Sequence, residues 1–71
     1  MTEMHEHASP AAEVFDQVAW AHSETAAKLE LLAARCRQDS SDQADLLGRA
    51  EVERSLAATA TGRAEEARRL P

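Results

Sequence analysis

Residues 15–36 of the chain read FDQVAWAHSETAAKLELLAARC, and a set of mostly apolar positions recurs in them at alternating spacings of three and four. This spacing traces one stripe along an α-helix and is typical of a helix that packs lengthwise against another helix. The predicted stripe consists of Phe15, Val18, His22, Thr25, Leu29, Leu32 and Cys36. The stretch therefore predicts a long first helix that needs an opposing helix.

The second half of the chain supplies the opposing helix. Its apolar positions are mostly alanine, which favours helix but contributes little buried area. The predicted facing positions are Leu46, Ala50, Ala57, Ala60, Ala64 and Ala67, with Leu56, Val52 and Leu70 along the edge. Large side chains of the first helix would then lie over small ones of the second, which allows a close approach.

Capping signals set the predicted boundaries. Ser9 followed by Pro10 starts the first helix, predicted over about 10–38, and the polar cluster around Ser40 forms a turn at about 39–41. The second helix is predicted over about 41–69, with acidic residues in its first turn and arginines in its last. It remains open at this point whether that helix continues past Gly62 or ends there.

The remaining composition supports an all-α fold. Few residues are β-branched or aromatic, so strands lack their usual side chains. The prediction is an antiparallel, coiled-coil-like two-helix hairpin over residues 9–71, able to complete a larger helical bundle with a partner. Residues 1–8 are polar and aperiodic, so we expect them to form a disordered tail.

Charge and cysteine content narrow the class of function. The net charge is −5 and Lys28 is the single lysine, which argues against binding of nucleic acid or of anionic membranes. The sequence has no apolar run near 18 residues and no basic region followed by an apolar one, so we expect neither a spanning helix nor a signal peptide. Its one cysteine, Cys36, suits a reducing compartment. We expect a cytoplasmic protein.

A second apolar surface lies nearly opposite the predicted stripe on the first helix. It consists of Trp20, Ala27, Leu31 and Ala34. These are either scattered surface residues or a partner-binding face anchored by Trp20 and Leu31.

Catalytic patterns are missing from the sequence. His22 and Cys36 are four helical turns apart, roughly 21 Å along the axis, so they cannot form a dyad. His5 and His7 could hold a metal loosely, but two imidazoles do not make a closed site. We expect no enzyme activity, no cofactor and no dedicated metal site.

The hairpin resembles two known kinds of protein. The run Leu32-Ala33-Ala34-Arg35-Cys36-Arg37, closing helix 1 before a polar turn, resembles the small co-chaperones of type III secretion needle subunits (YscE/PscE type). This resemblance implies a cytoplasmic chain that pairs with a helical chaperone and keeps a needle subunit soluble.

The turn Asp42-Gln43-Ala44-Asp45 is similar to that of Rop-like hairpins, which dimerise into four-helix bundles and bind RNA. Only the architecture carries over, because the outer face of helix 1 shows Glu13, Trp20, Glu24 and Leu31 where RNA would need basic groups.

Three hypotheses follow. The leading one is a non-enzymatic co-chaperone or adaptor that binds a helical partner. The alternative is a homodimeric four-helix bundle that acts as a regulator or phage-type inhibitor. The third is a protein that binds metal through His5 and His7.

Deletion of residues 1–8 is expected to leave helicity and partner binding unchanged, because the tail has no periodic apolar residue and Ser9 already starts the helix. Circular dichroism and binding of the truncated chain check this. Loss of binding would assign function to the segment with His5 and His7.

Overall fold

The computed structural model describes residues 9–70 of the 71-residue chain. It contains two antiparallel helices, α1 (Pro10–Ala34) and α2 (Ser41–Arg69), which pack along their length in a body 56 × 19 × 11 Å in extent. The prediction of an all-α helical hairpin is confirmed. The predicted disordered tail, with His5 and His7, lies outside the described residues.

Both helices begin at the predicted caps. The Ser9 hydroxyl accepts from the Ala12 amide at 3.1 Å with Pro10 at the first helical position, and the Ser40 hydroxyl accepts from the Gln43 amide at 3.1 Å. Each cap satisfies one of the amides that a helix start leaves without a partner. The start of α2 and its end at Arg69 agree with the predicted range, and α2 continues through Gly62.

The first helix ends earlier than predicted, at Ala34 and not near residue 38. Gln43 accounts for this: its side-chain amide donates to the Ala33 carbonyl at 3.1 Å, and its side-chain oxygen accepts from the Asp39 amide at 2.9 Å. Asp39 has a φ of 63°, a left-handed conformation that short polar residues tolerate. One glutamine of α2 thus holds both the end of α1 and the turn.

The core of the described chain consists of alanine alone. No large side chain is fully buried, and the buried residues are Ala12, Ala26, Ala33, Ala50, Ala57, Ala60 and Ala64. In α1 the positions 12, 26 and 33, with half-buried Ala19, fall on a period of seven, and in α2 positions 50, 57 and 64 do the same. We refer to this contact line as the alanine seam.

The alanine seam differs from the predicted stripe on α1. Phe15, His22, Leu29 and Cys36 are half-buried as a shared edge, but the other edge is formed by alanines in place of Val18, Thr25 and Leu32, which are exposed. Alanine on alanine lets the two backbones approach closely and gain dispersion contacts along the whole pair. Larger side chains then flank the line of contact.

The facing positions on α2 are closer to the prediction. Ala50, Ala57, Ala60 and Ala64 are buried, and Leu46 and Ala67 are half-buried. Leu56 lies outside the contact line and is 43% exposed. Glu53, which was not predicted in the seam, is half-buried within it.

The variant Ala26→Leu is expected to destabilise the hairpin by about 1–3 kcal/mol, because Ala26 is fully buried between the helices and a larger side chain forces them apart. The neighbouring variant Ala27→Leu adds the same atoms at an exposed position and should change stability little. Chemical denaturation of both variants measures the difference. Equal effects would contradict the alanine seam.

Candidate protein-interaction surface

The two broad faces of the hairpin carry different side chains. On one face, four residues that each lie four positions after a seam alanine form two ion pairs across the helices. Arg54 donates two hydrogen bonds to Glu30, at 2.8 and 2.7 Å, and Arg68 donates to Asp16. We call this the ion-paired face, and these four charges are paired within the chain.

The ion pair between Arg54 and Glu30 shifts the pKa of both side chains in the direction that favours their charged forms. The hydrogen bond and charge of Arg54 hold the pKa of the Glu30 carboxyl below its usual value, and Glu30 raises the pKa of Arg54. Both side chains are half open to solvent, at 51% for Arg54 and 42% for Glu30. Solvent and salt therefore weaken the pair, and its main effect is to set which residues face one another.

The opposite broad face is apolar. Val18, Leu32 and Leu56 each directly precede a seam alanine, so the helical rotation brings all three to the same side of the hairpin. Val14 and Val52 lie one helical turn before Val18 and Leu56, project further outward on that side, and are both 57% exposed. We call these five residues the apolar face.

A groove confirms that α1 and α2 contribute jointly to the apolar face. It is open to solvent, has a volume of about 220 Å³ and is lined by Phe15, Val18, His22, Leu56, Thr59, Ala60 and Arg63. The same rotation that exposes Val18 and Leu56 also brings Thr25, Arg49 and Arg63 to this side. Within the groove the lining is therefore apolar side chains with polar groups at the margin.

One polar pair interrupts the seam near its middle. His22 Nδ1 donates to Glu53 Oε1 at 2.5 Å, and the two side chains are 31% and 25% exposed. The bond requires the proton on Nδ1, because a carboxylate only accepts. A single polar pair in an apolar seam costs stability but favours one register, since any slip leaves both groups without a partner.

The predicted partner-binding residues form a separate exposed surface. Trp20 is 66% and Leu31 62% exposed, and Ala27 and Ala34 are exposed as well. Trp20, Ala27 and Ala34 each directly follow a seam alanine, which places them on the side of α1 away from the apolar face. The hairpin thus has two uncovered apolar surfaces, and the broad one between the helices was not predicted.

The described part of the chain shows little sign of site chemistry. Within residues 9–70 no group of three or more His, Cys, Asp or Glu side chains is arranged to hold a metal ion. The Cys36 thiol donates to the Leu32 carbonyl at 3.4 Å, in a contact local to its own helix end. Neither α1 nor α2 is long and apolar enough to cross a membrane.

Glycine positions on α2 show no close approach by the rest of the described chain. A methyl group added at Gly48 or Gly62 would meet no atom within 4 Å.

Comparisons with known proteins give no match: no family model, no curated protein and no solved structure is similar to this chain.

Glu30 is expected to titrate below its ordinary pKa of 4.5, because Arg54 stabilises the ionised carboxylate. The lowered pKa of the folded state means that the stabilisation is complete above the unfolded pKa and is lost as the pH falls through the folded pKa. Carboxyl-detected NMR titration measures this shift. In the variant Arg54→Met the pKa of Glu30 should rise, and an unchanged pKa would show that the pair does not form in solution.

Proposed function

We propose that this chain is a non-enzymatic protein–protein interaction module that binds a helix along its apolar face. The observation that carries the proposal is the contrast between the two broad faces. Two ion pairs join the helices across one face, whereas Val14, Val18, Leu32, Val52 and Leu56 are exposed on the other. Val14, Val18, Val52 and Leu56 lie near one another around the groove, and an exposed apolar cluster of this kind marks a site of protein association.

The shape of the surface supports a helical occupant. The heptad stripe of α1, which includes Phe15, Val18, Leu29 and Leu32, does not face α2 squarely but lies between α2 and solvent. An unbroken heptad stripe along an edge of a two-helix pair is what a further helix needs to pack lengthwise. The hairpin therefore offers two helices of a bundle with one side open.

Two forms of the proposal use the same face. In the first, the occupant is a helix of another protein and the chain is a cytoplasmic adaptor or co-chaperone, as the likeness to type III secretion needle co-chaperones suggests. In the second, the occupant is another copy and the chain is a small regulator or phage-type inhibitor. The absence of a cofactor or catalytic role belongs to the proposal in both forms.

Site-specific photo-crosslinking tests the proposal. A photoreactive phenylalanine analogue is placed at Val18 or Val52 on the apolar face, at Trp20 on the outer surface of α1, and at Ala58, an exposed position of α2, as the control. Irradiation in the cell of origin should give a discrete protein adduct from Val18 and Val52 and none from Ala58. The adduct is identified by mass spectrometry.

The other possible crosslinking results would each change the proposal in a specific way. An adduct from Trp20 alone would move the binding surface to the outer residues Trp20, Ala27, Leu31 and Ala34. Adducts from no position, in a chain that circular dichroism shows to be folded, would overturn the proposal.

A further inference from the structure

We infer that the apolar face is covered by the same face of a second copy of this chain, around a two-fold axis that runs parallel to the helices. The product is a four-helix bundle with both turns at one end. This inference rests on the proposed function, because it names the occupant of the proposed binding face.

The register of α1 against α2 determines which of their residues lie at the same level along the long axis of the hairpin. We call this level the height of a residue. The bond between His22 and Glu53 and the bond between Gln43 and Ala33 fix this register, since eleven residues forward in α1 match ten residues back in α2. At the height of Val18 the opposite helix has Leu56, and both line the same groove. At the height of Lys28 it has Leu47, within one turn of Asp45.

A two-fold axis parallel to the helices leaves heights unchanged and lays α1 of one copy over α2 of the other. Val18 then faces Leu56 of the second copy, and Val14 and Ala21 face Thr59 and Val52. Nearer the turns, Lys28 faces Asp45 of the second copy. Valine and leucine residues therefore meet near the groove, and a basic residue meets an acidic one near the turns.

The charges on the apolar side are distributed as this arrangement requires. On α1 they are basic, Lys28 and Arg35, and near the turn on α2 they are acidic, Asp42 and Asp45. The same side of α2 also carries Arg49, Arg63 and Glu66. Two-fold symmetry makes every such contact twice, so each complementary pair counts double. Arg49 and Arg63 lie at the heights of Thr25 to Lys28 and of Ala11 to Val14, so their long side chains would have to extend toward solvent.

The other symmetric arrangement fits less well. A two-fold axis across the helices would invert the second copy and lay α1 over α1. Lys28 would then lie over Val14 and Val18, and its acidic neighbour would still be Glu24 of its own helix, at 4.0 Å. Burying this exposed pair against valine would remove it from water without adding a charge partner from the second copy.

Area and polar satisfaction also agree with a dimer. The broad face extends over 56 × 19 Å, so a second copy laid along it has room to bury the roughly 800 Å² per partner of a standard stable interface. The central layer would contain His22 and Glu53 of both copies, and each pair is already hydrogen-bonded within its own chain. Closing the bundle therefore keeps one hydrogen bond for each His22 and each Glu53, whereas Nε2 of His22 and Oε2 of Glu53 would need partners across the interface or from water.

The mass of the assembly and the distance between its two turns test the inference directly. Sedimentation equilibrium of the purified chain should give twice the 7.7 kDa chain mass. A nitroxide at position 38 in the variant Cys36→Ser/Gln38→Cys then reports the arrangement by pulsed dipolar spectroscopy. Turns at one end give a separation below about 30 Å, given interaxial distances of about 8–10 Å, whereas turns at opposite ends are separated by nearly the 56 Å length of the hairpin.

Exchanging the charges of Lys28 and Asp45 and measuring the strength of dimerisation supplies a second, independent test. Lys28→Glu and Asp45→Lys should each weaken dimerisation about tenfold, and the double variant should restore it, because each change acts at two symmetric contacts. Glu51→Lys makes a similar acid-to-lysine change on the outer side of α2 and should leave the dimer intact. Trp20 fluorescence should stay red-shifted in the dimer, because Trp20 lies outside the interface.

The outcomes separate the inference from the proposed function. A monomeric mass together with a crosslink from Val18 to a different protein would overturn the second-copy assignment and leave the binding face in place. A dimer with turns at opposite ends, or one in which the double variant fails to recover, would overturn the parallel-axis arrangement. A monomer with no crosslink from the apolar face would overturn both.

Discussion

The contact of alanine with alanine along the seam is the constraint on which the rest of this structure depends. Small side chains at every seventh position of both helices let the backbones approach closely, and the gain in dispersion contact is spread along the whole pair. The same choice leaves the hairpin without any fully buried large side chain. Phe15 and Leu29 become edge residues, and Val18, Leu32 and Leu56 are displaced to one side.

Different side chains flank the alanine seam on its two sides. On one side, opposite charges that lie four residues after seam alanines meet across the helices, with Glu30 and Arg54 joined by two hydrogen bonds. Among the described residues no ion pair joins the helices across the other side, which presents branched aliphatic residues. A hairpin built in this way would gain stability from a further helix on that side, because the stabilisation that large apolar side chains usually supply is available only when they are covered.

Local hydrogen bonds define the ends of this unit. Serine caps begin both helices, and Gln43 bonds to the last turn of α1 and to Asp39 in the connection. The His22–Glu53 bond adds a polar marker near the middle. Together these contacts fix the register of α1 against α2, and the register in turn decides which charges a second hairpin would meet.

Helicity, the two serine caps, the hairpin topology and the alanine-rich surface of α2 were determined by the sequence alone, since they depend on local propensity, capping chemistry and a period near 3.5. The charge pattern at Asp16, Glu30, Arg54 and Arg68 was also present, but its meaning depended on the register between the helices. Tertiary structure decided which edge of the α1 stripe faces α2. Two stripes share Phe15, His22, Leu29 and Cys36, and helical periodicity cannot choose between completing them with Val18, Thr25 and Leu32 or with the alanines beside them. The alanines prevail because only they allow the close approach that the small residues of α2 make available, and that rotation produces the exposed apolar face.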